Sequence, residues 1–120
     1  MITIKNLSSL RYFGSLHDNL WPVLEHLLAT WPAAHDCIVT RVGERDANQK
    51  TEVHTDGPPH RAIDFRISNL PEQTADRVAA SLNSHFTYDP ARPGMKVAIV
   101  HDAGSGNHLH VQVHANTVAL

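Results

Sequence analysis

Polar and apolar residues alternate strictly through Asn107-His108-Leu109-His110-Val111-Gln112-Val113-His114 near the end of the chain. On a strand this places Leu109, Val111 and Val113 on one face and His108, His110, Gln112 and His114 on the other. A second alternating run spans residues 61–67, where Ile63, Phe65 and Ile67 would face a core and Ala62, Asp64 and Arg66 the opposite side. Helical spacing governs two other stretches. Leu20, Val23, Leu24, Leu27, Leu28 and Trp31 predict an amphipathic helix over residues 19–30, with Asp18 as its cap and Pro22 tolerated in the first turn. Ala75, Val78, Ala79 and Leu82 predict the buried stripe of a second helix, opened by Leu70-Pro71-Glu72-Gln73 and ending around Ser84.

Further strands are expected at 37–42, where the residues are largely β-branched, and at 95–100, with a short edge strand at Ile2 and Ile4. Residues 43–51 are polar and charged and read as a surface loop. Asp56-Gly57-Pro58-Pro59 demands an irregular turn before the second alternating run. After the edge strand, the order helix, strand, strand, helix, strand, strand predicts a single α+β domain over residues 1–120. Its expected form is an antiparallel sheet with helices packed on one face.

Composition narrows the picture. A chain of 120 residues can bury one core, and 42% hydrophobic with 18% charged residues is ordinary for a globular domain. The net charge of −2, without a Lys/Arg cluster, speaks against a nucleic-acid partner held by phosphate contacts. No stretch has the length of a membrane span and the first residues do not form a secretory signal, so synthesis in the cytoplasm without a membrane partner is expected. Oligomeric state is not encoded in any recognisable pattern. The single cysteine, Cys37, lies in an apolar stretch and reads as a small buried hydrophobe.

The outlier is histidine, present ten times. Imidazole is the commonest metal ligand and the natural proton carrier near neutral pH. If the strands carrying Asp64 and His108/His110 are neighbours, a carboxylate and two or three imidazoles meet on one face. Two histidines, one carboxylate and an open position make the usual surroundings of a catalytic zinc ion. His17, His26, His35 and His85 read as surface residues, as do His101 and Asp102 in a loop. His114 and Gln112 read as pocket wall or surface.

Val53-His54, the Arg61-Ala62-Ile63-Asp64 strand and the late His108-Leu109-His110 strand together resemble the zinc peptidases of the D-Ala-D-Ala carboxypeptidase type. These share their fold with lysostaphin-like enzymes and the hedgehog N-terminal domain. The resemblance spans roughly residues 37–114, read by eye. It implies Zn2+ bound by His54, Asp64 and His110, with His108 handling protons or steadying the transition state and Arg41 contacting the scissile carbonyl or another part of the substrate. It also implies a peptide of bacterial peptidoglycan, from the stem or the cross-link, as substrate. Such an enzyme would reach the wall after lysis, in a virion or by secretion, as phage lysis enzymes do. His54 stands ten residues before Asp64 and His60 four; neither has the family's usual spacing. His54 is preferred for its Val-His context, and His60 remains the alternative. A non-catalytic module of the same fold, for example a phage assembly or tail component, is the other expectation.

Overall fold

The structure, a computed structural model, describes residues 2–4, 12–42, 58–102 and 107–120. In chain order the elements are β1 (Ile2–Ile4), a single 3-10 turn (Phe13–Ser15), α1 (Leu20–Thr30), β2 (Cys37–Arg41), β3 (Ala62–Arg66), α2 (Thr74–His85), β4 (Phe86–Thr87), β5 (Ala98–Asp102), β6 (Asn107–Gln112) and β7 (Val118–Ala119). Five strands form one sheet in the order β1-β2-β3-β6-β5, and β4 pairs with β7 apart from it. The α+β class is as expected. The wholly antiparallel sheet is not: β1 runs parallel to β2, so the sheet is mixed. The cause is the crossover. Chain leaving β1 passes through α1 before entering β2, and such a connection returns a strand in the same direction.

Each helix forms where its apolar stripe can be covered. Leu20, Val23, Leu24 and Leu27 of α1, with Val78, Ala79 and Leu82 of α2, join Val39, Ile63, Phe65, Leu109 and Val111 of the sheet in one core. Trp31 ends α1 in extended backbone, and its indole N–H donates to the Asp36 carbonyl at 3.2 Å. Asn19 rather than Asp18 caps this helix, and the Asn19 side-chain amide reaches the His114 carbonyl at 3.0 Å instead of the helix's own N–H groups. Helix α2 starts later than Pro71 suggested. Gln73 adopts φ 67°, a left-handed conformation that breaks the helical path, so the helix proper begins at Thr74.

Strand β5 is displaced toward the C-terminus from the expected 95–100. Met95 closes a turn onto Arg92, and pairing with β6 starts only at Ala98, opposite Val111. The short β4–β7 pair was not anticipated. It ties the end of the chain to α2, with the Leu120 N–H donating to the His85 carbonyl at 2.8 Å. Beside it, the buried Asp89 carboxylate accepts from the Ala91 N–H and from Arg92. The Ala91 backbone bond first, then Arg92 and Asn116, hold the Asp89 carboxyl below its usual range against the opposing effect of burial.

Phe65 is fully buried on the apolar face of the sheet, its ring centroid 6.1 Å from that of Trp31. Replacing it with alanine removes the ring and leaves a cavity. Phe65→Ala should cost about 3–5 kcal/mol of unfolding free energy, read by urea denaturation, a large share of the roughly 5–15 kcal/mol typical of a domain.

Candidate metal centre

The polar face of the sheet is built by strand register. Asp64 on β3 sits directly opposite His110 on β6, and Arg66 opposite His108. On the other side of β6, His101 of β5 is opposite His108, and Ile99 opposite His110. Cross-strand partners share a face, so Asp64, His101, His108, His110 and Ile99 all lie opposite the helix-covered core.

Arg41 reaches the same face through an irregularity. Val39 pairs with Phe65 and Arg41 with Asp64, so Thr40 is an extra residue opposite a single step of β3. In regular pleating Arg41 would share the core face with Val39. The bulge at Thr40 turns it to the Asp64 side, and the Thr40 hydroxyl donates to the Asp64 carbonyl at 3.3 Å. One guanidinium nitrogen of Arg41, Nη2, is buried.

Asp64 is only 5% exposed, and an isolated carboxylate there would be costly. Its Oδ1 lies 2.9 Å from His110 Nδ1, and its Oδ2 lies 3.5 Å from His108 Nε2. The ring of His101 stands 4.4 Å from that of His108 and 5.5 Å from that of His110. The ligand atoms of His101, His108 and His110 all lie within 4.8 Å of one another, a group able to hold a metal ion. Two donors bound to one tetrahedral zinc ion at about 2.0–2.1 Å lie roughly 3.3 Å apart. The Asp64 contacts, at 2.9 Å to His110 and 3.5 Å to His108, run to different oxygens of the carboxylate and are hydrogen-bond and ion-pair distances, whereas the group able to hold an ion comprises the three imidazoles.

The remaining expected site residues divide. His54 lies outside the described residues. His60 is buried, but it stands four residues up an extended chain from Asp64, roughly 13 Å at strand rise. Its backbone bonds to Ser15 and His17, and its ring meets Tyr12 edge-on at 4.7 Å. That position does not bring it to the Asp64–His110 pair. His114 falls beyond the end of β6. Its ring packs 5.6 Å from that of Tyr88, and its Nδ1 accepts from the Asn116 N–H. The row of three histidines therefore ends at two on β6, and the third imidazole beside them comes from β5.

His101 was read as a loop residue. The antiparallel register of β5 and β6 sets it against His108. Arg61, a possible ion partner for Asp64, instead directs Nη1 to the Tyr88 hydroxyl and the Val113 carbonyl. His26 meets His85 at the helix–helix seam, with ring centroids 4.1 Å apart. Burial, and then the His85 imidazole, lower its pKa.

The fold and this face together define a small α+β domain with a mixed sheet and a histidine-rich centre able to hold a metal ion. No protein-family model matches the chain, and comparisons with curated proteins and with solved structures return no match either.

Cys37 stands apart from this centre, on the core face. Burial pushes its thiol up to about 12. It should resist a thiol reagent such as 5,5′-dithiobis(2-nitrobenzoate) at neutral pH in the folded protein and react fully once unfolded in guanidinium. Rapid reaction of the folded protein would contradict this burial.

Proposed function

We propose that the chain is a zinc-dependent peptidase acting on a peptide of bacterial peptidoglycan, with its centre at the junction of β3 and β6. The observation that supports this most is the opposed, buried pair Asp64 and His110, at 2.9 Å, with His108 alongside and Arg41 across the neighbouring strand. The resemblance described above adds the substrate class. In this reading Asp64 and His110 hold the ion together with His54. Zinc supplies a Lewis acid that polarises a carbonyl and makes water acidic near pH 7.

The chain's own groups carry the rest. Asp64 holds His108 close to the reacting position. The His108 imidazole accepts the proton of the attacking water and returns it to the departing amine. Arg41, on the same face, supplies a fixed positive charge for the carbonyl oxygen as negative charge develops there. Ile99, 37% exposed beside His110, offers an apolar contact to a small side chain of the substrate.

The second reading, a non-catalytic module, draws on a different observation. Both ring nitrogens of His110 already have side-chain partners, Asp64 and Gln112, so the network closes within the protein itself. Such a module would keep the fold for assembly or partner binding.

Elemental analysis of the purified full chain separates the readings. The peptidase reading expects roughly one zinc per chain, lost in Asp64→Ala and His110→Ala. It also expects peptidoglycan digests to gain new amino termini. His108→Ala should retain zinc yet slow cleavage by about 10²–10⁴-fold. A parent protein that takes up no zinc would sink the peptidase reading. Zinc uptake without cleavage of several wall chemotypes would leave the module.

A further inference from the structure

Gln112 is a residue of the polar face whose hydrogen bonds determine the state of another. It follows His110 by two positions on β6, so the two side chains project from the same face. Its backbone N–H donates to the Val97 carbonyl at 2.8 Å, which carries the sheet register past Ala98. That register brings the Lys96 carbonyl within reach of the Gln112 side chain, whose Nε2 donates to it at 2.8 Å.

The orientation of the amide then follows from chemistry. A carbonyl oxygen only accepts, so the Gln112 NH2 group must face Lys96 and its Oε1 must face the other way. There it meets His110 Nε2 at 3.0 Å. Oε1 also only accepts, so His110 Nε2 must bear hydrogen. The opposite ring atom, Nδ1, lies 2.9 Å from the Asp64 carboxylate oxygen Oδ1. With the proton on Nε2, the neutral ring directs the Nδ1 lone pair at an oxygen that is itself electron-rich. At this spacing the contact is a hydrogen bond, so a proton lies between them in the metal-free chain, and an ion bound by Nδ1 would take that proton's place.

We propose that Gln112 is a positioning residue of the candidate centre: it holds hydrogen on His110 Nε2 and thereby assigns Nδ1 as the donor that faces Asp64 and a metal ion. The functional consequence rests on the proposed zinc centre, whereas the protonated Nε2 is a property of the metal-free chain. Outer partners of this kind fix the tautomer of a metal-binding histidine and increase its affinity for the ion. The sequence places the acceptor economically, in the same strand as the ligand it orients.

Two measurements test this on the full chain. The first is long-range nitrogen–proton NMR of the His110 ring in metal-free protein, at about pH 8 where ordinary imidazole is neutral. Hydrogen on Nε2 is expected, whether or not Nδ1 also carries a proton. A ring with hydrogen on Nδ1 and a bare Nε2 would overturn the proposal. The second compares Gln112→Met, which keeps the side-chain length but has no oxygen acceptor, with Gln112→Glu, which keeps one. Zinc affinity, measured by competition with a chelating dye, should fall about 10–100-fold in Gln112→Met. The Gln112→Glu protein should keep hydrogen on Nε2 and bind zinc at least ten times more tightly than Gln112→Met. An affinity in folded Gln112→Met within twofold of the parent would overturn the positioning role. If Gln112→Met does not fold, the ring spectrum of the parent still decides. If the parent binds no zinc, the peptidase reading fails, and the same spectrum still tells whether Gln112 sets the tautomer.

Discussion

A carboxylate removed from water has to be answered by hydrogen bonds or by positive charge, and the arrangement of this sheet follows from how Asp64 is answered. It lies in the central strand of five, between apolar neighbours on both sides in sequence. Of its two imidazole neighbours on β6, the nearer is His110, opposite in register, and the other is His108, one step of the same face away. A one-residue slip between β3 and β6 would send both imidazoles into the core and Leu109 and Val111 to the polar side. The apolar face and the polar face therefore specify the same register, one by burial and the other by charge compensation.

Around this pair the fold contributes position more than chemistry. The bulge at Thr40 turns Arg41 from the core face to the Asp64 side. The β5–β6 pairing delivers His101 beside His108. The pairing of Gln112 with Val97 extends the sheet far enough for the Gln112 amide to be anchored by Lys96 and to face His110. Each contact is local, and each depends on a register set by the large buried residues Phe65, Leu109 and Val111 on the other side of the sheet. Stability and site geometry are thus coupled through the same two strands.

Much of this was legible in the chain because alternation is a direct statement about faces. Residues 61–67 and 107–114 announced which side chains would be buried and which would meet, and the helical stripes of α1 and α2 announced what would cover the apolar side. What alternation cannot express is a change of phase. The bulge at Thr40 moves Arg41 between faces without any mark in the local pattern, and β6 ends before His114, so that side chain leaves the row. The parallel β1–β2 pairing depends on how the chain crosses over, which three residues of edge strand do not disclose. Gln112 was readable in position but not in role, and His101, expected in a loop, in neither. Their importance arises from partners, His108 on the neighbouring strand and His110 two residues back, and partners belong to the register rather than to the residue.

The central claim is that Asp64 and His110 meet in order to hold a metal ion. Anomalous diffraction at the zinc absorption edge, from crystals of the full chain grown with zinc, tests it most directly. The account predicts a single anomalous peak about 2.0–2.2 Å from both Asp64 Oδ1 and His110 Nδ1. A peak bound only through His110 Nε2, or no peak at the β3–β6 junction, would contradict it.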